Sequence, residues 1–304
     1  MWFKNLQIYH LDQDWTLPAA ELEERLAARP LLPCSAMSTE SRGWVQVLDD
    51  GQLVQGMERH LLISLGTEQK LLPSSVLNEA AKERAAEFEK LKGFKPGRKI
   101  LRDIKDQVAS ELLPRAFSRR SVTRAWIDPN ARRLIVDTSS ATRAEALVEH
   151  LRDTLGELPV SLPQTENSTA QKLTEWLTAH RAPGHFDLGE ECELTTTDAA
   201  KSVVRYVRHS LEAQQIRRHL EEGMSTSRLA LTWNGRLSLV VDAKLQIKKL
   251  KFLDMDEAEE SPGDDPQRLF EAEFALMTGQ CGPMLDELLE VLGAANKEPG
   301  GASA

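Results

Sequence analysis

Cysteine is scarce in this chain: three occur in 304 residues, at Cys34, Cys192 and Cys281, odd in number and far apart. None forms a CxxC pair, so neither a disulfide framework nor a thiolate zinc site is indicated, and a reducing cytosol is the natural setting. No GxxxxGK[ST], HExxH, GxSxG or GxGxxG run is present, which removes the usual supports for ATP, zinc-protease, α/β-hydrolase and dinucleotide chemistry. The seven histidines are scattered. His180 and His185 lie near each other without a cysteine or third histidine, so no metal and no cofactor is expected. No stretch approaches the roughly 20 apolar residues of a membrane span, and Met1 to Leu6 lacks the apolar core and cleavage site of a signal peptide. What remains is the composition of a soluble globular protein, 41% hydrophobic and 28% charged, long enough for two or three compact units.

The charge is unevenly placed. The formal net charge is -9, yet Lys90 to Arg133 holds thirteen basic residues against four acidic ones. Lys95, Arg98, Lys99, Arg115, Arg119, Arg120 and Arg124 belong to this run. A focused positive field inside an acidic molecule attracts polyanions, of which nucleic acid is the commonest, while the acidic remainder keeps phosphates off other faces. The plainer reading is a solvated helix surface whose counter-charges are supplied by tertiary structure.

Periodicity divides the chain into an α+β body at 1–73, a helical hairpin at 74–114, a ββαβ unit at 115–165, a C-terminal α+β unit at 166–293 and a flexible tail at 294–304. Trp2 to Tyr9, Trp44 to Leu48 and His60 to Leu65 read as strands, and Leu17 to Ala28 as a helix. Ser74 or Ser75 is placed to cap a helix carrying Leu77, Ala81, Phe88 and Leu91. After the breaker Gly93 to Gly97, Ile100, Ile104, Val108 and Leu112 repeat at i,i+4 up to Pro114. Two helices of about 16–18 residues are each ~25 Å long, enough for a projecting finger. Val122 to Ile127 and Arg133 to Val136 form a hairpin, and a helix opening at Thr138 to Ser140 ends at Gly156. A helix around Leu173, Trp176 and Leu177 precedes a strand at Ser202 to Arg208 and a helix at Leu211 to Glu222. Asn234-Gly235 signals a type I′ turn between strands, and Leu245 to Leu253 follows. An acidic loop, Asp254 to Pro266, leads to terminal helices containing Phe270, Phe274, Leu285 and Leu292. The expected architecture is α+β: several small mixed sheets with packed helices and the helical hairpin.

The sharpest constellation is Leu112 to Ser121. There a helix ends, Arg115, Arg119 and Arg120 fall within six residues, and Phe117 stands among them. Arginine's planar fork matches phosphate oxygens and the serines add neutral donors, so contacts should be backbone-directed and sequence-tolerant. Phe117 is either a core plug beneath the loop or an anchor across a subunit contact. Arg205 and Arg228, on later strands, join the candidate DNA-binding set. Two other readings stay open. Asp242-Ala243-Lys244 has the acid-x-Lys pattern of Mg-dependent nucleases, though Glu68-Gln69-Lys70 and Asp103-Ile104-Lys105 repeat it. A protein–protein adaptor with a basic docking finger is the other.

Trp2 to Leu6 (WFKNL), Leu112 to Arg119 (LLPRAFSR), Trp126 to Asp128 (WID), Leu173 to Trp176 (LTEW), Leu250 to Asp254 (LKFLD) and Ala275 to Gly279 (ALMTG) occur in this order. In that collinear set the sequence resembles the bacterial recombination-associated protein RdgC family over essentially its full length. The resemblance implies a non-enzymatic, sequence-independent DNA-binding protein of the cytoplasm and nucleoid. It implies a ring-forming homodimer that encircles double-stranded DNA, binds single-stranded DNA as well, and limits access of the RecA recombinase. It gives Arg115 and Phe117 roles in DNA binding and dimer behaviour, and places Arg208 and His209 at a strand facing the ring interior.

Overall fold

A computed structural model of the protein describes residues 2–49, 51–196, 202–212, 214–253 and 265–294. The acidic loop at 254–264 and the tail from 295 onward lie outside the described residues. In chain order the elements are β1 (Gln7–Leu11), α1 (Ala19–Ala27), β2 (Glu40–Val45), β3 (Val54–Met57), β4 (His60–Lys70), α2 (Ser74–Lys92) and α3 (Arg98–Leu112). Then come β5 (Ser118–Asp128), β6 (Arg133–Val136), α4 (Ala141–Leu155), β7 (Val160–Ser161), α5 (Thr169–Ala179), β8 (Phe186–Thr195) and β9 (Val203–Val207). The last are α6 (Gln214–Glu221), β10 (Ser225–Trp233), β11 (Leu237–Asp242), β12 (Ile247–Phe252) and α7 (Pro266–Val291).

The α+β expectation holds, but in place of several small mixed sheets the strands form two antiparallel ones. The first runs β2-β4-β5-β6-β1-β7 with β3 also on β4; the second runs β12-β11-β10-β8-β9. Strands from 1–73 and 115–165 therefore share one sheet, with the helical hairpin inserted between β4 and β5.

Period-two alternation shows why this sheet needs cover on both faces. Tyr9, Leu11, Leu61, Ile63, Leu65, Ala125, Ile127, Leu134 and Val136 pack with Leu22 and Leu26 of α1 and Ala144, Leu147 and Leu151 of α4. Their neighbours Ile8, Leu62, Trp126 and Ile135 join a second core with Leu173 and Leu177 of α5, Leu229, Leu239 and Val241, and α7. Helix α7 ties the sheets together: Asp286 takes a hydrogen bond from buried Arg133 of β6, and Glu287 takes one from the Trp233 indole of β10 at 2.8 Å.

α7 is one continuous helix through Pro283, where the sequence suggests more than one. An interior proline costs about 3 kcal/mol. Met284, Leu285, Leu288 and Leu292 beyond it are fully buried, and burial at roughly 1.5–3 kcal/mol per side chain outweighs that cost. Neither Ser74 nor Ser75 caps α2; Pro73 holds the cap position and no side chain accepts there. α4 starts where the Thr138 to Ser140 run suggests, and Ser140 caps it by accepting from the Arg143 N–H.

The first residues act as a seam. Leu6 and Ile247 exchange backbone hydrogen bonds of 2.8 and 3.0 Å, and Leu250 donates to the Lys4 carbonyl. One oxygen of Asp137 accepts from the N–H groups of both Lys4 and Asn5 at 3.0 Å. The edge of the second sheet at β12 is thus covered by the segment that leads into β1.

Candidate nucleic-acid interface

The elbow at Leu112 to Ser121 grows out of paired strands. β4 and β5 stay in register to Lys70↔Ser118, and the Leu71 N–H donates to the Phe117 carbonyl at 2.7 Å. From this root α2 leaves and α3 returns. A short 3-10 turn, Leu113–Arg115, converts α3 into extended chain at Ala116. Pro114 forbids further helix, and buried Leu113 pins the turn. α3 buries Ile104 and Val108, while α2 buries nothing. Arg84 of α2 and Glu111 of α3 pair at 2.9 Å.

This root leaves Arg115 and Arg119 exposed, and neither has an acidic partner among the described residues. Phe117 is 85% exposed; its core-plug reading is corrected, because its neighbours' backbone pairing turns the ring away from both cores. Arg120 sits opposite Glu68 across the β4–β5 pair and donates to it at 2.6 Å. That hydrogen bond, with a second from the Cys34 N–H, holds the Glu68 carboxyl below its ordinary range. Arg124 is half-buried and contributes charge at Asp137.

Lys95, Arg98 and Lys99 are exposed at the other end of α3, where left-handed Gly93 (φ 75) ends α2. Fifteen helical residues separate them from Arg115 by about 22 Å.

The remaining predicted cations lie on the second sheet. Arg205 and Arg228 converge on one carboxylate, Glu193: Arg205 donates through Nε at 3.0 Å and Arg228 through Nη1 at 3.3 Å. Burial alone would raise the Glu193 carboxyl. The bonds from Arg205 and Ser227 and the charges of Arg228 and Arg205 reverse this and hold it low. Arg208 is exposed in the left-handed region (φ 53), and His209 follows with Nδ1 2.9 Å from the Ser210 carbonyl. The predicted residues therefore form three groups: hairpin turn, elbow, and second sheet.

Asp242, the carboxylate of the nuclease reading, is buried and fully engaged. It accepts from the Lys244 and Gln246 N–H groups at 2.9 and 3.0 Å and from Lys248 Nζ at 2.8 Å. Lys244 turns to solvent, and Lys249 pairs with Glu191. His185 contacts Glu287 while His180 accepts from Arg217, so the two histidines do not share a site. Among the described residues no group of three or more His, Cys, Asp or Glu is arranged to hold a metal ion, and no helix is long and apolar enough to cross a membrane. Sequence reasoning placed the helix of α6 but left its Arg217 and Arg218, which stand beside His209, out of the candidate set. The adjacent Arg-Arg pair was the available signal.

A family model described as "Putative exonuclease, RdgC" matches residues 1–295. The recombination-associated protein RdgC of Dechloromonas aromatica (strain RCB) is 42% identical over 298 residues, covering 96% of this chain and 98% of its own. That of Cupriavidus pinatubonensis (strain JMP 134 / LMG 1197) is 42% identical over 299 residues, covering 98% and 100%. The corresponding protein of Janthinobacterium sp. (strain Marseille) is 41% identical over 295 residues, covering 96% and 98%. With its two-sheet α+β body and arginine-bearing elbow, this chain belongs to the RdgC family.

Proposed function

We propose that the protein binds DNA without regard to base sequence, as a homodimer closed around the duplex, and thereby limits access of RecA to DNA. The observation that carries the reading is the elbow. Two guanidiniums without carboxylate partners among the described residues, Arg115 and Arg119, flank a fully presented aromatic ring at the root of a basic hairpin. A phosphate meeting these arginines displaces only water, whereas one approaching Arg120, Arg205 or Arg228 must compete with Glu68 or Glu193. The hairpin is taken to project. Leu91 and Phe94 at its turn are 83% and 55% exposed, a suitable contact for a second copy. Phe117 serves as an anchor across that assembly. Double-stranded DNA is the principal ligand, single-stranded DNA a further one, and the nucleoid within the cytoplasm the place of action. The protein holds DNA rather than cutting it, which the commitment of Asp242 to its own turn supports.

The test is a salt titration of duplex binding. If about six to nine phosphates are neutralised, log K falls with log salt at a slope of roughly -5 to -8. Arg115→Ala is expected to weaken all duplex sequences alike and lower the slope by about 1. Unchanged affinity and slope in that variant would exclude Arg115 from the interface. The same protein incubated with plasmid and Mg²⁺ should retard it intact; nicked or shortened DNA would favour the nuclease reading.

A further inference from the structure

The end of the β4–β5 ribbon carries cations on both of its faces. Successive residues of a strand point to opposite sides, and Arg119 and Arg120 stand opposite Gln69 and Glu68 in the pairing. Arg119 is exposed without an acidic partner among the described residues. Arg120, on the other face, is met by Glu68: its Nε donates to Oε2 at 2.6 Å. The two partners are not equivalent. The Glu68 side chain is 8% exposed and that of Arg120 64%.

Glu68 is fixed by contacts that owe nothing to Arg120. Its Oε1 accepts from the Cys34 N–H at 3.2 Å, while the Cys34 thiol donates to the Glu68 carbonyl at 3.0 Å. The loop carrying Cys34 is itself tied down on both sides of that residue. Ser41 Oγ donates to the Leu32 carbonyl at 2.6 Å, and Lys70 Nζ to that of Ala36 at 2.9 Å. The carboxylate is therefore oriented before the arginine arrives, and the arginine is the member free to leave. A pair between two exposed side chains would count for little; here, a phosphate that draws Arg120 away strands a buried negative charge. Arg115 and Arg119 carry no such penalty.

We propose that Glu68 is an internal competitor of the DNA backbone, holding Arg120 off phosphate and confining backbone contact at the elbow to Arg115 and Arg119. The proposal rests on the DNA-binding reading above and adds to that site an autoinhibitory carboxylate. One face of the ribbon end keeps its cation available while the other is occupied from within, which fixes the side that grips a duplex and limits the strength of the grip.

The experiment is duplex binding by fluorescence anisotropy across a salt series, with a urea midpoint for each protein. The set is wild type, Glu68→Gln, Arg120→Gln, the Glu68→Gln/Arg120→Gln double variant, Arg119→Gln and a charge control, Glu21→Gln, which removes an α1 carboxylate paired with Arg25. Glu68→Gln keeps an acceptor for the Cys34 N–H and removes the charge. It is expected to bind roughly three- to tenfold more tightly at about 0.1 M salt and to steepen the slope by about 0.9, one more phosphate neutralised. The double variant should lose that gain and return to the wild-type slope. Damage to the fold does not raise affinity, so the gain separates competition from a structural role. Arg120→Gln alone should leave the slope unchanged, because Arg120 neutralises no phosphate in the wild type, whereas Arg119→Gln should reduce it by about 0.9. Unchanged or weaker binding by a folded Glu68→Gln, or an equal gain in Glu21→Gln, would overturn the proposal. So would a slope reduced in Arg120→Gln as much as in Arg119→Gln, a result that decides even where Glu68→Gln does not fold. A wild-type protein that fails to bind duplex would overturn the DNA-binding reading itself, and the competitor with it.

Discussion

Asp137 carries two demands that conflict. Its carboxylate accepts from the N–H groups of Lys4 and Asn5, which favours the ionised form. Burial pushes its pKa up, and this outweighs those two bonds and the nearby charges of Arg124 and Lys4. A carboxyl with a raised folded-state pKa stabilises the fold while it is protonated, and that contribution is lost as pH rises through the folded value. Glu193 has the opposite sign. Its lowered pKa gives stability that is present above the ordinary glutamate range and lost as pH falls through the folded value. Asp137→Asn keeps an acceptor for the two N–H groups and removes the buried charge, so it should be neutral or stabilising at pH 7 and flatten the decline towards higher pH. Asp137→Ala orphans both donors and should cost about 2–3 kcal/mol. Urea midpoints between pH 4 and 8 decide. An Asn variant as damaged as the Ala variant would show that the charge itself, not the acceptor, secures the seam.

Two hairpins of the same geometry show what was legible in the sequence at the scale of elements. Asn234 and Gly235 have φ of 52 and 66, and that dipeptide announces such a turn to any reader. Glu58 and Arg59 have φ of 47 and 73 between β3 and β4. There no residue signals the turn; the pairing of Val54 to Met57 with His60 to Ile63 imposes it. The double substitution Glu58→Asn with Arg59→Gly, which installs the favoured dipeptide, should stabilise the protein by about 1 kcal/mol, read as a raised urea midpoint at unchanged slope. No gain would mean that Glu58 and Arg59 side chains return as much as the backbone strain removes. The strand β8 escaped notice for a related reason. Asp187, Glu190, Glu191 and Glu193 obscure its alternation, and the counter-charges of the last two come from Arg205, Arg228 and Lys249 on other strands. Gly189 reads as a strand breaker, yet an added Cβ there would lie 2.9 Å from that of Ala230, so glycine is what permits the pairing. The candidate site divides likewise. The arginine run is plain in the sequence, whereas the acids that offset part of it, such as Glu68 lying 52 residues from Arg120, emerge only when the strands pair.

For the whole molecule, the question that the proposed DNA binding raises is whether affinity would come from contacts or from enclosure. The two sheets share a continuous core through α7, so the body of one copy is a single packed object. The hairpin stands apart from that core: no residue of α2 or α3 belongs to either large cluster. A net charge of -9 opposes side-on attachment of the body to a polyanion, and under the proposed function would leave the cationic hairpin turn and elbow to meet it. If two copies close around a duplex through such surfaces, modest contacts suffice for long residence, because escape requires opening the dimer or reaching an end. A side-on clamp with the same contacts has no such constraint. The two arrangements separate on topology. Protein loaded at low salt onto closed circles, onto linear duplex with blocked ends and onto open linear duplex is challenged with about 0.5 M salt, where the screening length is only a few Å. Enclosure predicts retention on circles and blocked linear duplex and rapid loss from open ends. Equal loss from all three would mean that the phosphate contacts alone hold the DNA, and the ring would have to be abandoned in favour of open-sided binding by the elbow.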